Sequence, residues 1–373
     1  MPGFFIYQHH VKMKRCEIAP VRMSDIKRTH KMAMLVAGPC SAESEDQLMR
    51  TASLLMNSGV DYFRAGLWKP RTRPGNFEGV GEAGIEWMLR VKRETGLKIV
   101  TEVANRSHVE NVLRAGFDAV WIGARTTANP FSVQEIADAL RGSDVTVFIK
   151  NPVNPDIDLW IGAIERIRNA GITTVIAVHR GFSPFGSTKY RNMPVWRIAE
   201  ELMEKMPETL LICDPSHIAG NKDLVQEVTE RALSIGMGGL FVEAHWKPEE
   251  ARSDRDQQIT PAELNTLLKL ICELPVKEPA ISEPEELALL RGEIDCWDKK
   301  LLVTLRNRMN IASLIGEFKK RSNYQIVQND RWNEVINARI NDGMELGLSE
   351  GFLLRLFEQI HGESINFQKR IGE

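Results

Sequence analysis

Cys40, His217, Glu243 and Asp254 offer one thiolate, one imidazole and two carboxylates from widely separated positions in the chain. Such a mixed S/N/O set suits a borderline first-row divalent ion such as Mn, Fe, Co or Zn better than Mg or Ca, which prefer all-oxygen shells. Taken singly, each has a plainer reading: a lone cysteine after a strand serves as a small core residue, and Asp254 in a charged run serves as a solvated side chain. A second constellation is cationic. Arg64, Lys69, Arg71, Arg125, Lys150 and Arg180 would repel one another if gathered in one cleft, so their gathering calls for several anionic groups on the ligand. Arg supplies planar bidentate clamps and Lys a point charge, and the mixture suits ligands bearing both phosphate and carboxylate.

A closed barrel is the scaffold that would bring both sets together. From Met32 to about residue 273, short β-branched apolar runs alternate with longer amphipathic stretches. The candidate strands are 34–37, 61–64, 98–102, 119–123, 146–150, 174–178, 210–213 and 240–243. Eight such units predict an α/β fold of the (β/α)8 TIM-barrel type, whose active site is built from strand C-termini and the loops after them. An open doubly wound sheet is the alternative, but the first strand is not followed by its G-x-G-x-x-G fingerprint. The barrel delivers Cys40, Arg64 with the Lys69-Pro70-Arg71-Thr72 loop, Arg125, Lys150, His179-Arg180, Asp214 with His217, and Glu243 to one mouth. The Gly/Ser/Pro-containing loop 183–191 is either a lid or an ordinary connection.

At 373 residues the chain exceeds the ~250–300 at which one hydrophobic core stops growing, which predicts more than one domain. A formal net charge of -2 gives no global attraction to nucleic acid or to an anionic membrane, so any anionic ligand must be held locally. The five cysteines are odd in number, scattered and without C-x-x-C spacing, which argues against a disulfide framework. The apolar runs stop short of the roughly 18 residues of a membrane span, and the N-terminal extension 1–31 lacks a signal-peptide core, so a cytoplasmic location is expected.

After the barrel segment 32–273, the stretch 274–284 carries three prolines without apolar periodicity and reads as a linker, with Ser282 and Pro284 as helix-start signals. The remaining segment, 285–373, reads as all helix. Leu287, Leu290, Ile294, Trp297, Leu301, Leu305, Met309, Ala312, Ile315 and Phe318 recur at helical spacing over one long helix, and two shorter helices cannot bury that stripe alone. Dimerisation would complete the core, so the plain reading is an oligomerisation arm. The polar residues point beyond it. At about 100° per residue, Arg308 and Lys319 nearly eclipse while Arg291 points away, and Ser364 and Gln368 share a face at i, i+4.

Five ordered segments make the resemblance specific: Ala37-Gly38-Pro39-Cys40-Ser41, Lys69-Pro70-Arg71-Thr72, Gly123-Ala124-Arg125, His179-Arg180-Gly181 and Asp214-Pro215-Ser216-His217. In this order, over roughly residues 32–272, the chain resembles the DAHP synthases. The resemblance implies condensation of phosphoenolpyruvate with erythrose 4-phosphate, using a divalent metal, Mn2+ before Fe, Co or Zn. It implies Cys40, His217, Glu243 and Asp254 as metal ligands, and Arg64, Lys69, Arg125, Lys150 and Arg180 around phosphoenolpyruvate, with Lys69 also counted as catalytic. Arg71 and Thr72, beside Pro70, would hold the aldose phosphate. Sibling synthases using arabinose 5-phosphate usually lack this Lys-Pro-Arg-Thr loop, which favours the four-carbon aldose. Thr126-Thr127 and His179 depart from the usual neighbours of their arginines.

Residues 285–373 resemble the all-helical chorismate mutases, whose intertwined dimers borrow an arginine from the partner. The resemblance implies that Arg291 from the partner, Arg308 and Arg331 grip the two carboxylates of chorismate, with Lys319 and Gln368 donating to the ether oxygen and Ser364 beside them. The chain departs after Arg331, where Trp332 stands in place of a common acidic residue. The expected protein is therefore a bifunctional enzyme of aromatic biosynthesis, a homodimer through its helices or a tetramer, with feedback on the synthase by product bound to the helices. The alternatives are a synthase with an inactive helical sensor or with a dimerisation arm.

Overall fold

A computed structural model describes residues 32–69, 75, 77–184, 188–273, 283–325 and 329–370. Its chain divides into two compact units, 1–281 and 282–373. The expected cap at Ser282 lies outside the described residues.

In the first unit eight parallel strands close into a barrel in sequence order: β1 (Met34–Gly38), β2 (Tyr62–Arg64), β3 (Lys98–Val103), β4 (Ala119–Ile122), β5 (Thr146–Lys150), β6 (Val175–His179), β7 (Leu211–Cys213) and β8 (Gly239–Glu243). Each expected strand is present, with its ends as expected or displaced by one residue. At β2, for example, Asp61 leaves the strand and its carboxylate accepts from Leu35 N at 2.8 Å. The helices alternating with them include α1 (Glu45–Leu55), α2 (Ala83–Thr95), α3 (Arg106–Ala115), the single-turn α4 (Ala124–Thr127), α5 (Pro130–Leu140), α6 (Ile157–Asn169), α7 (Trp196–Lys205), α8 (Pro215–Ala219), α9 (Val225–Ser234) and α10 (Pro261–Glu273).

Alternation along each strand sorts its residues. One set packs outward against the helices, where Leu35, Phe63, Ile99, Val147 and Leu240 join the larger core. The other set fills the interior: Val36, Tyr62, Val100, Trp121, Phe148, Val178, Ile212 and Phe241 form a separate buried cluster. Tyr62, Phe148, Phe241 and Trp121 meet edge to face in turn, with ring centroids 5.4, 5.6 and 5.5 Å apart. Two residues further along, the same inward stripe carries Arg64, Glu102, Lys150, Arg180, Asp214 and Glu243. The aromatic layer is thus the floor and the charged layer the mouth.

The second unit consists of α11 (Glu283–Arg321), α12 (Asn329–Glu345) and α13 (Glu350–Arg370). At 39 residues α11 runs roughly 58 Å. Of its predicted stripe, Met309 and Ala312 are buried, whereas Ile294, Trp297, Leu301, Ile315 and Phe318 are exposed in the single chain. Close approach explains two glycines: a Cβ on Gly316 would lie 2.8 Å from Gln368 Cα, and one on Gly343 would lie 2.5 Å from Leu353 Cδ2.

Gly38, where β1 closes on its neighbour, has φ +150°, and an added Cβ would stand 2.2 Å from the Arg64 carbonyl oxygen. Backbone cannot yield as a flexible side chain can, so Gly38→Ala is expected to cost more than ~2 kcal/mol of barrel stability. A urea midpoint equal to wild type, followed by tryptophan fluorescence, would reject this account of closure.

Candidate active sites

The barrel mouth holds a cavity of about 490 Å³ whose lining includes Cys40, Arg64, Lys69, Arg125, Lys150, Arg180, His217 and Asp254. The predicted residues of eight separate chain positions therefore face one space. Glu243 is buried beside it, accepting from Arg64 at 2.9 Å and from Gln257 Nε2 at 2.7 Å. Pro70, Arg71 and Thr72 lie outside the described residues. Of loop 183–191, Ser183, Pro184 and Arg191 line the cavity, and 185–187 lie outside the described residues.

Aromatic faces support the buried cations. Arg64 stands 5.0 Å over Trp121 and 4.7 Å over Phe241, and Lys150 stands 5.7 and 4.8 Å over the same rings. Such contacts return part of the hydration that burial removes. Asp214 completes the balance, 2.7 Å from Lys150 Nζ and 3.9 Å from Arg64. It also caps α8, its Oδ1 accepting from His217 N at 3.0 Å, which orients the turn presenting His217. Burial depresses the Lys150 pKa, with Asp214 opposing.

The four candidate metal ligands form two close pairs. Cys40 Sγ is 3.2 Å from Asp254 Oδ2, and His217 Nδ1 is 3.7 Å from Glu243 Oε1. The Lys69 ammonium bonds Cys40 Sγ and stands 3.6 Å from Asp254, so it occupies the cation position of the first pair. Among the described residues, no three histidine, cysteine or acidic side chains converge as a ligand cluster. The donor chemistry nevertheless fits a borderline divalent ion. Burial lowers the His217 pKa to about 4, leaving a neutral imidazole, and Nδ1 lies 2.8 Å from Asp214 Oδ2, the placement that leaves Nε2 as donor. Burial pushes the Cys40 thiol up, with Glu243 adding to the rise, so a thiolate there requires a cation. Against the penalty of its own burial, Asp254 is held far below the carboxylate range by Lys69 and by Arg191, whose guanidinium is 2.9 Å away.

Glu102 is a site residue that the sequence reading missed. It lines the cavity, and burial raises its pKa against the opposing pull of Lys150, Lys69 and Arg64. A Cβ on Gly123 would sit 2.1 Å from its Oε1. The signal was available, because Glu102 follows inward-facing Val100 by two, as Lys150 follows Phe148. Arg191 and Gln257 carry no comparable periodic signal, being brought in by loops.

In the helical unit Arg308 bonds the buried Ser364 hydroxyl, joining α11 to α13. Burial and nearby Arg339 lower the Arg308 pKa. Gln368 Oε1 is buried with no hydrogen-bond partner among the described residues. Arg308 bonds Ser364 and Gly316 of the same helix packs on Gln368, which gathers these side chains along one helix contact, and both Arg308 and Lys319 act electrostatically on His361. Arg291 is exposed on α11, and the Arg331 side chain lies outside the described residues.

Residues 19–277 match the DAHP synthetase I family. The chain belongs to that family. Residues 290–369 match the chorismate mutase type II family, so the DAHP synthase barrel is followed by a chorismate mutase domain. A phospho-2-dehydro-3-deoxyheptonate aldolase of Thermotoga maritima is 31% identical over 239 residues, covering 64% of this chain and 69% of that one. A 2-dehydro-3-deoxyphosphooctonate aldolase of Wolinella succinogenes is 26% identical over 263 residues, covering 63% and 96%. The crystal structure of the Thermotoga maritima DAHP synthase aligns with a TM-score of 0.58 at 31% identity, over 64% of this chain and 68% of that one. A truncated form of the 3-deoxy-D-arabino-heptulosonate 7-phosphate synthase from the same organism aligns at 0.56 and 28% identity, over 64% and 84%.

Within the DAHP synthase barrel, His179 lies among the rings of Trp160, Phe182 and Trp196, and burial lowers its pKa to about 3. An unfolded histidine titrates near 6.5, so the unfolded chain takes up this proton first as pH falls. The stability from neutral His179 is complete above about pH 6.5 and drains away toward pH 3. Between pH 7 and 5, wild type is expected to lose about 2 kcal/mol more than His179→Phe, at about 1.4 kcal/mol per pH unit. Parallel urea-stability curves for the two proteins would refute the assignment.

Proposed function

We propose that the chain is a bifunctional enzyme of the shikimate pathway, condensing phosphoenolpyruvate with erythrose 4-phosphate in the barrel and rearranging chorismate to prephenate in the helices. The observation that carries the first half is the single cavity in which Arg64, Lys69, Arg125, Lys150 and Arg180 meet Cys40, His217 and Asp254. The cations hold the phosphate and carboxylate of phosphoenolpyruvate and fix the enol carbon toward the aldehyde. Arg71 and Thr72 take the aldose phosphate. Cys40, His217, Glu243 and Asp254 would hold a divalent ion, Mn2+ in our reading, which would supply Lewis acidity to the aldehyde. Lys69, whose ammonium bonds Cys40 at the cavity edge, would place positive charge and a proton at the aldehyde oxygen. The new carbon–carbon bond joins the enol carbon to the aldehyde carbon, water adds at the adjacent carbon, and inorganic phosphate leaves.

A pericyclic rearrangement needs a compact substrate and positive charge where negative charge develops, without nucleophile or metal. Arg308 and Arg331, with Arg291 of the partner subunit, hold the two carboxylates, and Lys319 and Gln368 face the ether oxygen. Gln368 Oε1, without a hydrogen-bond partner among the described residues, and the Arg308–Ser364 bond favour a ligand site over a purely structural arm. The exposed Ile294, Trp297, Leu301 and Phe318 of α11 favour a homodimer, which would bring Arg291 across. Product bound to the helices restrains the synthase in the same reading.

The decisive experiment assays both reactions on the purified chain with and without chelator. Chelation should abolish synthase activity alone, with Mn2+ restoring it best. Cys40→Ala should lose metal binding by calorimetry and at least ~100-fold in synthase rate, whereas Arg308→Ala should lose at least ~100-fold in mutase rate only. Turnover of phosphoenolpyruvate that survives chelation, or chorismate that persists with wild-type protein, would sink the corresponding half. Synthase rates unchanged by prephenate and by aromatic amino acids would dismiss the feedback.

A further inference from the structure

Outside the described ligand groups, the helical unit contains a stacked aromatic pair bridging two of its helices. The rings of Trp332, on α12, and His361, on α13, lie 4.0 Å apart with an interplanar angle of 19°. His361 precedes Ser364 by three residues and Gln368 by seven, so all three share one helical face. That face is the one Arg308 reaches, through its bond to Ser364. His361 is only partly exposed, and both Arg308 and Lys319 act on its charge.

We propose that His361, braced by the Trp332 indole, is a further substrate-contacting residue of the helical site and hydrogen-bonds an uncharged hydroxyl of a cyclic dicarboxylate held by Arg308 and Lys319. The proposal rests on the mutase reading for the ligand class, and its geometry stands on the stack and the shared face. The cations already serve the ligand's anionic groups. A further imidazolium between them would add like-charge repulsion, and burial together with Arg308 and Lys319 lowers the His361 pKa. Neutral imidazole offers one donor and one acceptor, which matches a hydroxyl better than a carboxylate, an acceptor only. Stacking on Trp332 removes rotational freedom in advance, so little ordering is left to be done on binding. A neutral pair here also discriminates. A site that hydrogen-bonds a ligand hydroxyl rejects the analogue lacking it more strongly than an apolar wall would.

The bland alternative is that the imidazole only fills space against the indole, and His361→Phe separates the two. It keeps a flat ring for Trp332 and removes both nitrogens. The experiment titrates the full-length chain calorimetrically with two oxabicyclic dicarboxylates shaped like the compact rearranging conformer, one bearing the ring hydroxyl and one without it. Wild type should bind the hydroxyl-bearing probe about tenfold tighter, and His361→Phe should erase that ratio while leaving affinity for the other probe unchanged. His361→Gln, which keeps a donor and an acceptor, should recover part of it. Helical content by circular dichroism serves as the folding control for each variant, and His361→Leu, which also lacks both nitrogens, replaces Phe as the deciding variant if Phe fails it. Equal losses for both probes, or no change for either, would overturn the proposal. A wild-type chain that discriminates the probes through His361 but does not turn over chorismate would remove the mutase reading and keep the contact. Failure of wild type to bind either probe would remove both.

Discussion

The ladder between β1 and β8 is the constraint on which the barrel and its chemistry depend. It runs from Met34 opposite Gly239 to Gly38 opposite Glu243, and it joins the first strand of the barrel to the last. Cys40 and Asp254 are 214 residues apart in the chain yet 3.2 Å apart in space because this ladder closes. Its end continues into the mouth. Gly38 carbonyl accepts from Ala244 N at 2.8 Å, and Gln258 Oε1 accepts from Cys40 N at 3.0 Å, so the strand tops are tied to the loop after β8.

Above that closure the mouth solves an electrostatic problem. Arg64, Lys150, Asp214 and Glu243 are almost wholly buried, a costly arrangement unless each charge is compensated. Compensation comes from below through the Trp121 and Phe241 faces and from the side through Asp214 and Glu243. The cations still outnumber the fully paired carboxylates at the cavity, which leaves the mouth disposed toward a phosphorylated acid. Lys69 lying against Cys40 belongs to the same balance: it sets a positive charge between that thiol and the Asp254 carboxylate.

The helical unit uses different physics. Its core is small, with Met309, Ala312, Ile336 and Leu353 as its buried apolar residues among those described, so polar side chains are built into the helix contacts themselves. Ser364 ties α11 to α13 through Arg308, and Gly316 admits the backbone of α13 at Gln368. Polar groups and packing groups are here the same residues.

Most of the barrel was legible in the chain, because a half-buried strand must alternate and a (β/α)8 unit must repeat. The ends of β5 and β8 also announced Lys150 and Glu243, since alternation carries the inward stripe past the aromatic layer. By the same rule Glu102 was readable two residues after Val100, and what the sequence does not show is the room that Gly123 leaves for it. The sequence by itself determined which residue types exist at each strand end, and the order of the motifs. Tertiary structure alone decided the partnerships: Lys69 with Cys40, Arg191 with Asp254, Asp214 with Lys150, Trp332 with His361. Local periodicity encodes which face a side chain occupies, whereas these pairings depend on the distance between loops and helices that only chain closure and packing set.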